Sequence, residues 1–523
     1  MTTQWQLCER TVAWGLFPCE AGRTRHALSL QGHSRPSSIL APSRRRRTFH
    51  LPPSTFLAPQ APRSTFHIPR FPRRRRNLTL KQMSIKELYA FYKQHPVVTT
   101  DSRNCPEGSI FIALKGESFD GNKFALQALE KGCALAVVDD EAVYRAFAAS
   151  PLEGKRMVLV PDSLQAFKDL AREHRRQFAI PVVGITGTNG KTTTKELVRA
   201  VLSQQFRVMA TEGNYNNDVG VPKTLLRLAP EHEIAVVEMG ASHPGDIKTL
   251  AETAEPTSGL ITNVGKAHLQ GFGSLEGVVR TKGELYDNLA TRDDSVIFVN
   301  AGNPLLMNIL PAGVHAVQYC QGAECQGQRV VGEVVACDPF LRLRWRAGGE
   351  EWHQVATQLI GSYNIDNVLA AVSVGLYYGV DPEKINHAIE NYVPANNRSQ
   401  LTHTGSNHLV VDAYNANPTS MAAALDNFAL MQVSPKMAIL GDMRELGESS
   451  HQEHVAVVER LQQCHFDQVW LVGSEFDKVD CQYRKFADVA AVKAALRDNP
   501  VTGHYILIKG SNGIRLFELV ETL

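Results

Sequence analysis

Val182-Val183-Gly184-Ile185-Thr186-Gly187-Thr188-Asn189-Gly190-Lys191-Thr192-Thr193 passes from a β-branched apolar run straight into a turn of glycine, lysine and hydroxyl side chains. The run reads as a buried strand, and residues 195–204 beyond the turn read as an amphipathic helix. A loop between such a strand and helix points successive backbone N–H groups and the helix N-terminus at one spot. There a lysine ammonium can neutralise β/γ-phosphate charge and a threonine hydroxyl can reach Mg²⁺. The strict P-loop pattern places a glycine five positions before Gly190, where this chain has Ile185; its glycines are Gly184 and Gly187 instead. ATP is expected rather than GTP, because no Asn-Lys-x-Asp guanine motif follows.

Working outward, short β-branched runs alternate with amphipathic helices, the pattern of α/β units on largely parallel sheets. Before the loop, strands are expected over 110–114, 134–138 and 157–160, with helices over 123–131 and, N-capped by Ser163, over 164–178. After it come strands over 236–238, 260–262 and 296–299 and a helix starting near Asn367. A last block reads strand 409–411, helix 419–431, strand 437–440, helix 452–464 and strands 469–472 and 505–508. The domains expected are 83–178, 179–394 and 395–523, in a chain of 523 residues with 43% hydrophobic and 21% charged residues, the balance of an ordinary globular protein.

Residues 1–82 are a different object. They hold 14 Arg and one Lys against Glu9 and Glu20, a net +13 that leaves −11 for the remainder, and nine of the 26 prolines. Proline density and like-charge blocks at 44–47 and 73–76 prevent a packed core, so a disordered basic extension is expected. A start codon called upstream of Met83 explains it most simply. An organelle transit peptide and a phosphate-binding arm are the alternatives. No apolar run is long enough to span a bilayer. The nine scattered cysteines read as reduced thiols and a zinc site is not expected, so the chain reads as cytoplasmic.

Further candidates stand at strand ends or just beyond, where open α/β sheets bind ligands. Glu238 closes the run 234–237 and offers a carboxylate to Mg²⁺; His268 offers a ligand or a proton relay. Each alone is as easily structural. Lys282, in Arg280-Thr281-Lys282-Gly283-Glu284, reads by itself as a lysine on a solvated helix face.

From Met83 onward the chain resembles the ATP-dependent Mur ligases. The resemblance is carried by Thr100-Asp101-Ser102-Arg103, Lys115-Gly116-Glu117, the phosphate loop, Gly213-Asn214-x-Asn216-Asn217, Glu238-Met239-Gly240 and Asn263-Val264-Gly265-x-Ala267-His268. It continues through Gly361-x-Tyr363-Asn364-x-x-Asn367, Asp412-x-Tyr414-Asn415-Ala416-Asn417-Pro418, Gly441-Asp442-Met443-x-Glu445-Leu446-Gly447 and Lys509-Gly510-Ser511. Within the family, the Tyr-Asn-Ala-Asn-Pro and Gly-Asp-Met-x-Glu-Leu-Gly stretches are similar to the D-alanyl-D-alanine-adding branch. The Asp-Asn-Pro-Arg motif of the diaminopimelate- or lysine-adding branch is missing.

The resemblance implies a UDP-substrate domain, a central P-loop ATPase domain and a Rossmann-like C-terminal ligase domain. It implies ATP and two Mg²⁺ ions as cofactors, and UDP-N-acetylmuramoyl-tripeptide and D-alanyl-D-alanine as substrates joined through an acyl phosphate. A monomer with no nucleic-acid or membrane partner is expected. Carried over residue by residue, Gly187, Thr188, Asn189, Gly190, Lys191, Thr192, Thr193, Asn300, Arg398 and Asp412 would bind ATP. Thr192, Glu238, His268 and Lys282 (as a carbamate) would hold metal, with Lys191, Glu238, His268 and Lys282 catalytic, and Ser102 and Arg103 would meet the UDP substrate. Two departures stand out: Asn300-Ala301-Gly302-Asn303 replaces the family's Asn-x-Asp-Asp, and Tyr363 replaces its His. Rival readings are a sister ligase such as folylpolyglutamate synthase, a P-loop kinase or GTPase, and a non-enzymatic nucleotide-binding module. The roughly 100 globular residues before the loop weigh against the folate enzyme. Glu238 in place of an Asp-rich strand weighs against the kinases.

Overall fold

A computed structural model describes residues 83–149, 151–322, 330–394 and 400–523. The expectations for 1–82 and for Arg398 lie outside these residues. Three sheets follow one another along the chain. The first is four-stranded and wholly parallel, ordered Val98–Thr99, Ile110–Ile112, Leu135–Val138, Arg156–Leu159. Its leading helix Ile85–Tyr92 starts at a capping box in which Ser84 and Glu87 satisfy each other's backbone N–H groups. The helix out of this domain, Ser163–Arg175, is capped by Asp162 and not, as expected, by Ser163. Asp162 is extended and its carboxylate accepts from Gln165 N–H, which leaves Ser163 as the first helical residue.

The central sheet has nine strands, ordered His353–Ile360, Phe340–Ala347, Val330–Cys337, His315–Gln321, Val296–Asn300, Ser258–Ile261, Val182–Thr186, Ile234–Glu238, Val208–Ala210. From Val208–Ala210 to Val330–Cys337 every pairing is parallel; the last two are antiparallel. No strand or helix was expected over residues 300–366, yet they supply four strands and extend a parallel sheet with an antiparallel edge. The phosphate-loop strand is central, and all its residues are buried. Helix Lys191–Leu202 packs on one face through Leu197, Val198 and Val201, and helices Asp246–Ala254 and Leu275–Leu289 pack on the other. Each such buried Val or Leu contributes about 1.5–3 kcal/mol, so the loop rises from a well-supported strand.

The third sheet has six strands, ordered Gln400–His403, His408–Asp412, Tyr505–Lys509, Lys436–Gly441, Gln468–Val472, Arg484–Phe486, parallel except for the first hairpin. The edge strands Gln400–His403 and Arg484–Phe486 and the helix Val489–Asp498 were not expected: the two strands are short and polar, without alternation to betray them.

The first and second sheets are joined by Tyr92, whose hydroxyl donates to Leu226 O at 3.0 Å, and by a 2.8 Å ion pair of Lys168 with Asp218. Cys105, Cys133, Cys337, Cys464 and Cys481 are free thiols, whereas Cys320 is disulfide-bonded, against the expectation of a wholly reduced set. No helix among the described residues is long and apolar enough to cross a membrane.

Candidate functional site

The phosphate loop keeps its shape because two glycines take backbone conformations that a side chain would forbid. Gly187 has φ +142° and a Cβ there would lie 2.0 Å from Thr262 Oγ1; Gly190 has φ +77° and a Cβ would meet Asn367 Oδ1 at 2.6 Å. Because Gly190 is the left-handed N-cap, the helix begins at Lys191, four residues earlier than periodicity alone suggested. The neighbouring strand end grips the loop: Thr188 N–H donates to Asn263 O at 2.9 Å and Asn189 N–H to Asn263 Oδ1 at 2.9 Å. Thr194 Oγ1 donates to Asn367 Oδ1 at 2.9 Å, tying the helix to its neighbour Ile365–Tyr377. Lys191 Nζ curls back on the loop, donating to Gly187 O and Thr188 O at 2.8 and 2.9 Å.

Behind the loop lies a buried carboxylate. Glu238 is 1% exposed, accepts from Thr192 Oγ1 at 2.9 and 3.1 Å and from Asn216 Nδ2 at 2.8 Å, and has no ion-pair partner among the described residues. Burying a carboxylate with neutral donors alone is costly, and a cation would relieve that cost.

Lys282 is equally unbalanced. Instead of standing on a solvated helix face, it is 2% exposed on helix Leu275–Leu289. Its Nζ has only a 3.5 Å contact to Ala241 O and the Phe272 ring, whose centroid is 5.4 Å away. Burial, and then the charge of Lys191, push its pKa well below the ordinary lysine value. The amine is therefore held towards its neutral, nucleophilic form.

His268 sits in the left-handed conformation, φ +50°, at the head of the short helix Leu269–Phe272. Its Nδ1 lies 2.5 Å from Glu445 Oε2 on the third domain. The imidazole beside Glu445 holds that carboxyl below its usual range.

The opposite wall is the third sheet's strand ends. Asp412 pairs at 2.5 Å with Lys509, which is 1% exposed and also donates to Asn415 O. Between the walls runs a cleft of about 770 Å³, lined on one side by Asn189, Lys191 and Glu238 and on the other by Asp412, Thr419 and Lys509. His268 and Glu445 line it at the seam.

Of the residues singled out from sequence, Thr188, Asn189, Gly190, Lys191, Thr193, Glu238, His268 and Asp412 line this one cleft. Thr192 lies behind it on Glu238. Asn300 does not line it: its Oδ1 accepts from Gly302 N–H, and its side chain hydrogen-bonds to Asp366, a half-buried carboxyl on the cleft wall. Ser102 and Arg103 belong to the first domain, away from the lining; Arg103 pairs with Asp101 at 2.8 Å and holds that carboxyl down at about 2. The sequence reading passed over Asn216, Asn417, Glu445 and Lys509 as site residues although all four stand in the motifs it quoted. Lys509 ends its strand, whereas Glu445, Asn417 and Asn216 stand in the loops beyond the ends of theirs.

A parallel sheet that lifts a glycine loop and a lysine from its central strand, with a buried carboxylate behind, defines a phosphate-binding α/β protein. Three family models match in order: "Mur ligase family, catalytic domain" over 96–175, "Mur ligase middle domain" over 185–375 and "Mur ligase, glutamate ligase domain" over 397–512. The chain is 35% identical over 444 residues to the UDP-N-acetylmuramoyl-tripeptide--D-alanyl-D-alanine ligase of Bacillus subtilis, covering 82% of this chain and 92% of that one. Among solved structures it is similar to MurF from Acinetobacter baumannii (TM-score 0.73, 30% identity, 81% of this chain and 92% of that one). It is also similar to MurF ligase from Thermotoga maritima in complex with ADP (TM-score 0.72, 27% identity, 82% and 96%). The chain belongs to the Mur ligase family.

Proposed function

We propose that this chain is an ATP-dependent ligase that joins D-alanyl-D-alanine to UDP-N-acetylmuramoyl-tripeptide, a step of peptidoglycan precursor synthesis. The observation that carries the reading is the single cleft shared by the phosphate loop and the third-domain strand ends, in a chain that matches ligases of that name over nearly their whole length.

A carboxylate is a poor electrophile until one oxygen becomes a phosphate, so the γ-phosphoryl group passes first to the tripeptide's terminal carboxylate. The dipeptide amine then attacks the acyl phosphate, leaving amide, ADP and phosphate. Phosphoryl transfer asks mainly for positioning and charge neutralisation. Lys191 would swing from its contacts with the loop onto the β/γ-phosphates. Asp412, at the end of its strand, would accept the ribose hydroxyls.

The residues behind the loop fit Mg²⁺, which binds through one or two carboxylates plus substrate phosphates. Glu238 and Thr192 would hold it, and it would supply charge neutralisation at the transferring group. Among the described residues no cluster of three His, Cys, Asp or Glu could hold a metal by itself. A second ion would draw on His268 and on Lys282, were its buried amine carbamylated by CO₂. The first domain would take the UDP end through Ser102 and Arg103.

The test is phosphate release from ATP by the full chain with the tripeptide precursor alone, with D-alanyl-D-alanine alone, and with both, alongside mass detection of the pentapeptide. Product formed only with both substrates is expected. Phosphate release indifferent to them would defeat the assignment.

A further inference from the structure

Asn189 stands in the middle of the phosphate loop, and its backbone is held from within its own domain. Its N–H donates to Asn263 Oδ1 at 2.9 Å, and its carbonyl accepts from Thr262 Oγ1 at 2.6 Å and Asn263 Nδ2 at 3.0 Å. Its side chain crosses the cleft instead. Asn189 Oδ1 accepts from Asn417 Nδ2 at 2.7 Å, and Asn189 Nδ2 donates to Asn417 Oδ1 at 3.4 Å, a reciprocal amide pair between the two walls.

Asn417 is 5% exposed and heads the helix Pro418–Leu430. Its Oδ1 caps that helix by accepting from Ser420 N–H at 2.9 Å. Capping needs only an acceptor, which serine, threonine or aspartate supplies equally well. The Nδ2 donor is surplus to the cap, and it makes the shorter of the two bonds to the loop. The pair lies in a docked seam: a Cβ at Gly265 would come within 2.8 Å of Thr419 Oγ1, and Lys266 pairs with Glu453 at 2.7 Å.

We propose that Asn417 is a positioning residue whose amide couples docking of the third domain to the conformation of the phosphate loop, so that both walls of the nucleotide site assemble together. This rests on the loop being the ATP site, as argued above. The cap fixes where Asn417 stands on the third domain, and the amide pair fixes where Asn189 stands relative to it. Asn189 lies two residues before Lys191, so displacing it moves the ammonium and the loop N–H groups away from the phosphates. Misplacement of that size costs rate more than fold.

The experiment uses the full chain with Asn417→Ser, Asn417→Asp, Asn189→Ala and the double variant Asn189→Ala/Asn417→Ser, measuring kcat, the KM of each substrate and Tm. Asn417→Ser keeps the cap, so Tm should stay within about 2 °C. Its kcat should fall about tenfold and its KM for ATP rise about threefold, with KM for the UDP substrate unchanged. Asn417→Asp, which keeps the cap but sets a carboxylate oxygen against Asn189 Oδ1 beside the phosphate loop, should fall at least as far as Asn417→Ser. Asn189→Ala should match Asn417→Ser, and the double variant should be no worse than either single, as for two residues acting through one contact. The proposal is overturned if Asn417→Ser is kinetically unchanged, if Tm falls while all parameters fall together, or if the double loss is the product of the singles. Lys191→Ala separates this from the underlying reading. If that variant is dead while Asn417→Ser is normal, only the coupling fails; if Lys191→Ala turns over normally, the ATP site itself is misplaced.

Discussion

The two walls of the cleft are built from the same material, parallel strands ending in loops, yet their charges are handled in opposite ways. On the middle domain, Glu238 is buried among neutral donors and Lys282 is buried with no carboxylate on it. On the third domain, Asp412 and Lys509 already neutralise each other. The middle-domain wall carries a carboxylate without a cation, with the buried Lys282 amine behind the cleft lining, whereas the third-domain wall holds a formed ion pair. The comparison teaches that the middle domain is organised around what it binds, whereas the third domain contributes shape, hydrogen bonds and register.

Three substitutions would break or sharpen that contrast. The largest effect is expected at Lys191→Ala, where turnover should fall at least about 100-fold, roughly 2.7 kcal/mol of barrier, with Tm unchanged. A loss below tenfold would mean that the middle wall does not carry the phosphate chemistry.

Next is Lys282. Lys282→Met should be nearly inactive and melt no lower than the unmutated chain, and by a few degrees higher if the buried amine is costing stability, since an apolar residue of similar size carries no desolvation penalty. In Lys282→Ala, acetate should restore part of the activity by standing in for a carbamate. Normal turnover in Lys282→Met would leave the lysine with no part in the site.

The smallest catalytic effect belongs to the wall on the third domain. Asp412→Ala should raise KM for ATP about tenfold, consistent with losing one charged hydrogen bond of 1.5–3 kcal/mol at most. It should also lower Tm, because Lys509 is left buried and unpaired. Asp412→Ala/Lys509→Met should recover the Tm and leave the KM raised. If the double variant recovers both, Asp412 serves only to neutralise Lys509 and the contrast between the walls is sharper still.

The sequence announced the parts of this site that depend on local chemistry. Gly187, Gly190 and Lys191 could be read as a phosphate loop because positive φ and a helix start leave marks on a short window. Lys282 shows where that stops. Its own helix face looks solvated in sequence, and its burial comes from Phe272 and the loop at Ala241, which the fold brings there. The strand Phe340–Ala347 is a different case: Leu341, Leu343 and Trp345 alternate with Arg342, Arg344 and Arg346 at the period of a half-buried strand, so this part of the antiparallel edge was there to be read. Asn417 was legible as part of a motif, but its bond to Asn189 spans 228 residues and has no signature in either segment.

The position of the phosphate-loop strand has a consequence for how the chain is made. Val182–Thr186 pairs with Ile234–Glu238 on one edge and Ser258–Ile261 on the other, and Val182 N–H donates to Thr257 Oγ1, 75 residues further along. At about 5–20 residues per second, a ribosome takes roughly 4–15 s to deliver both partners after the strand has been synthesised. Over that interval a strand destined to be wholly buried has two open edges, while the all-parallel sheet upstream has every strand it needs and can already close. The first domain can thus fold during translation while the ATPase domain waits, and slowing synthesis between residues 186 and 262 would be the surest way to make this chain aggregate.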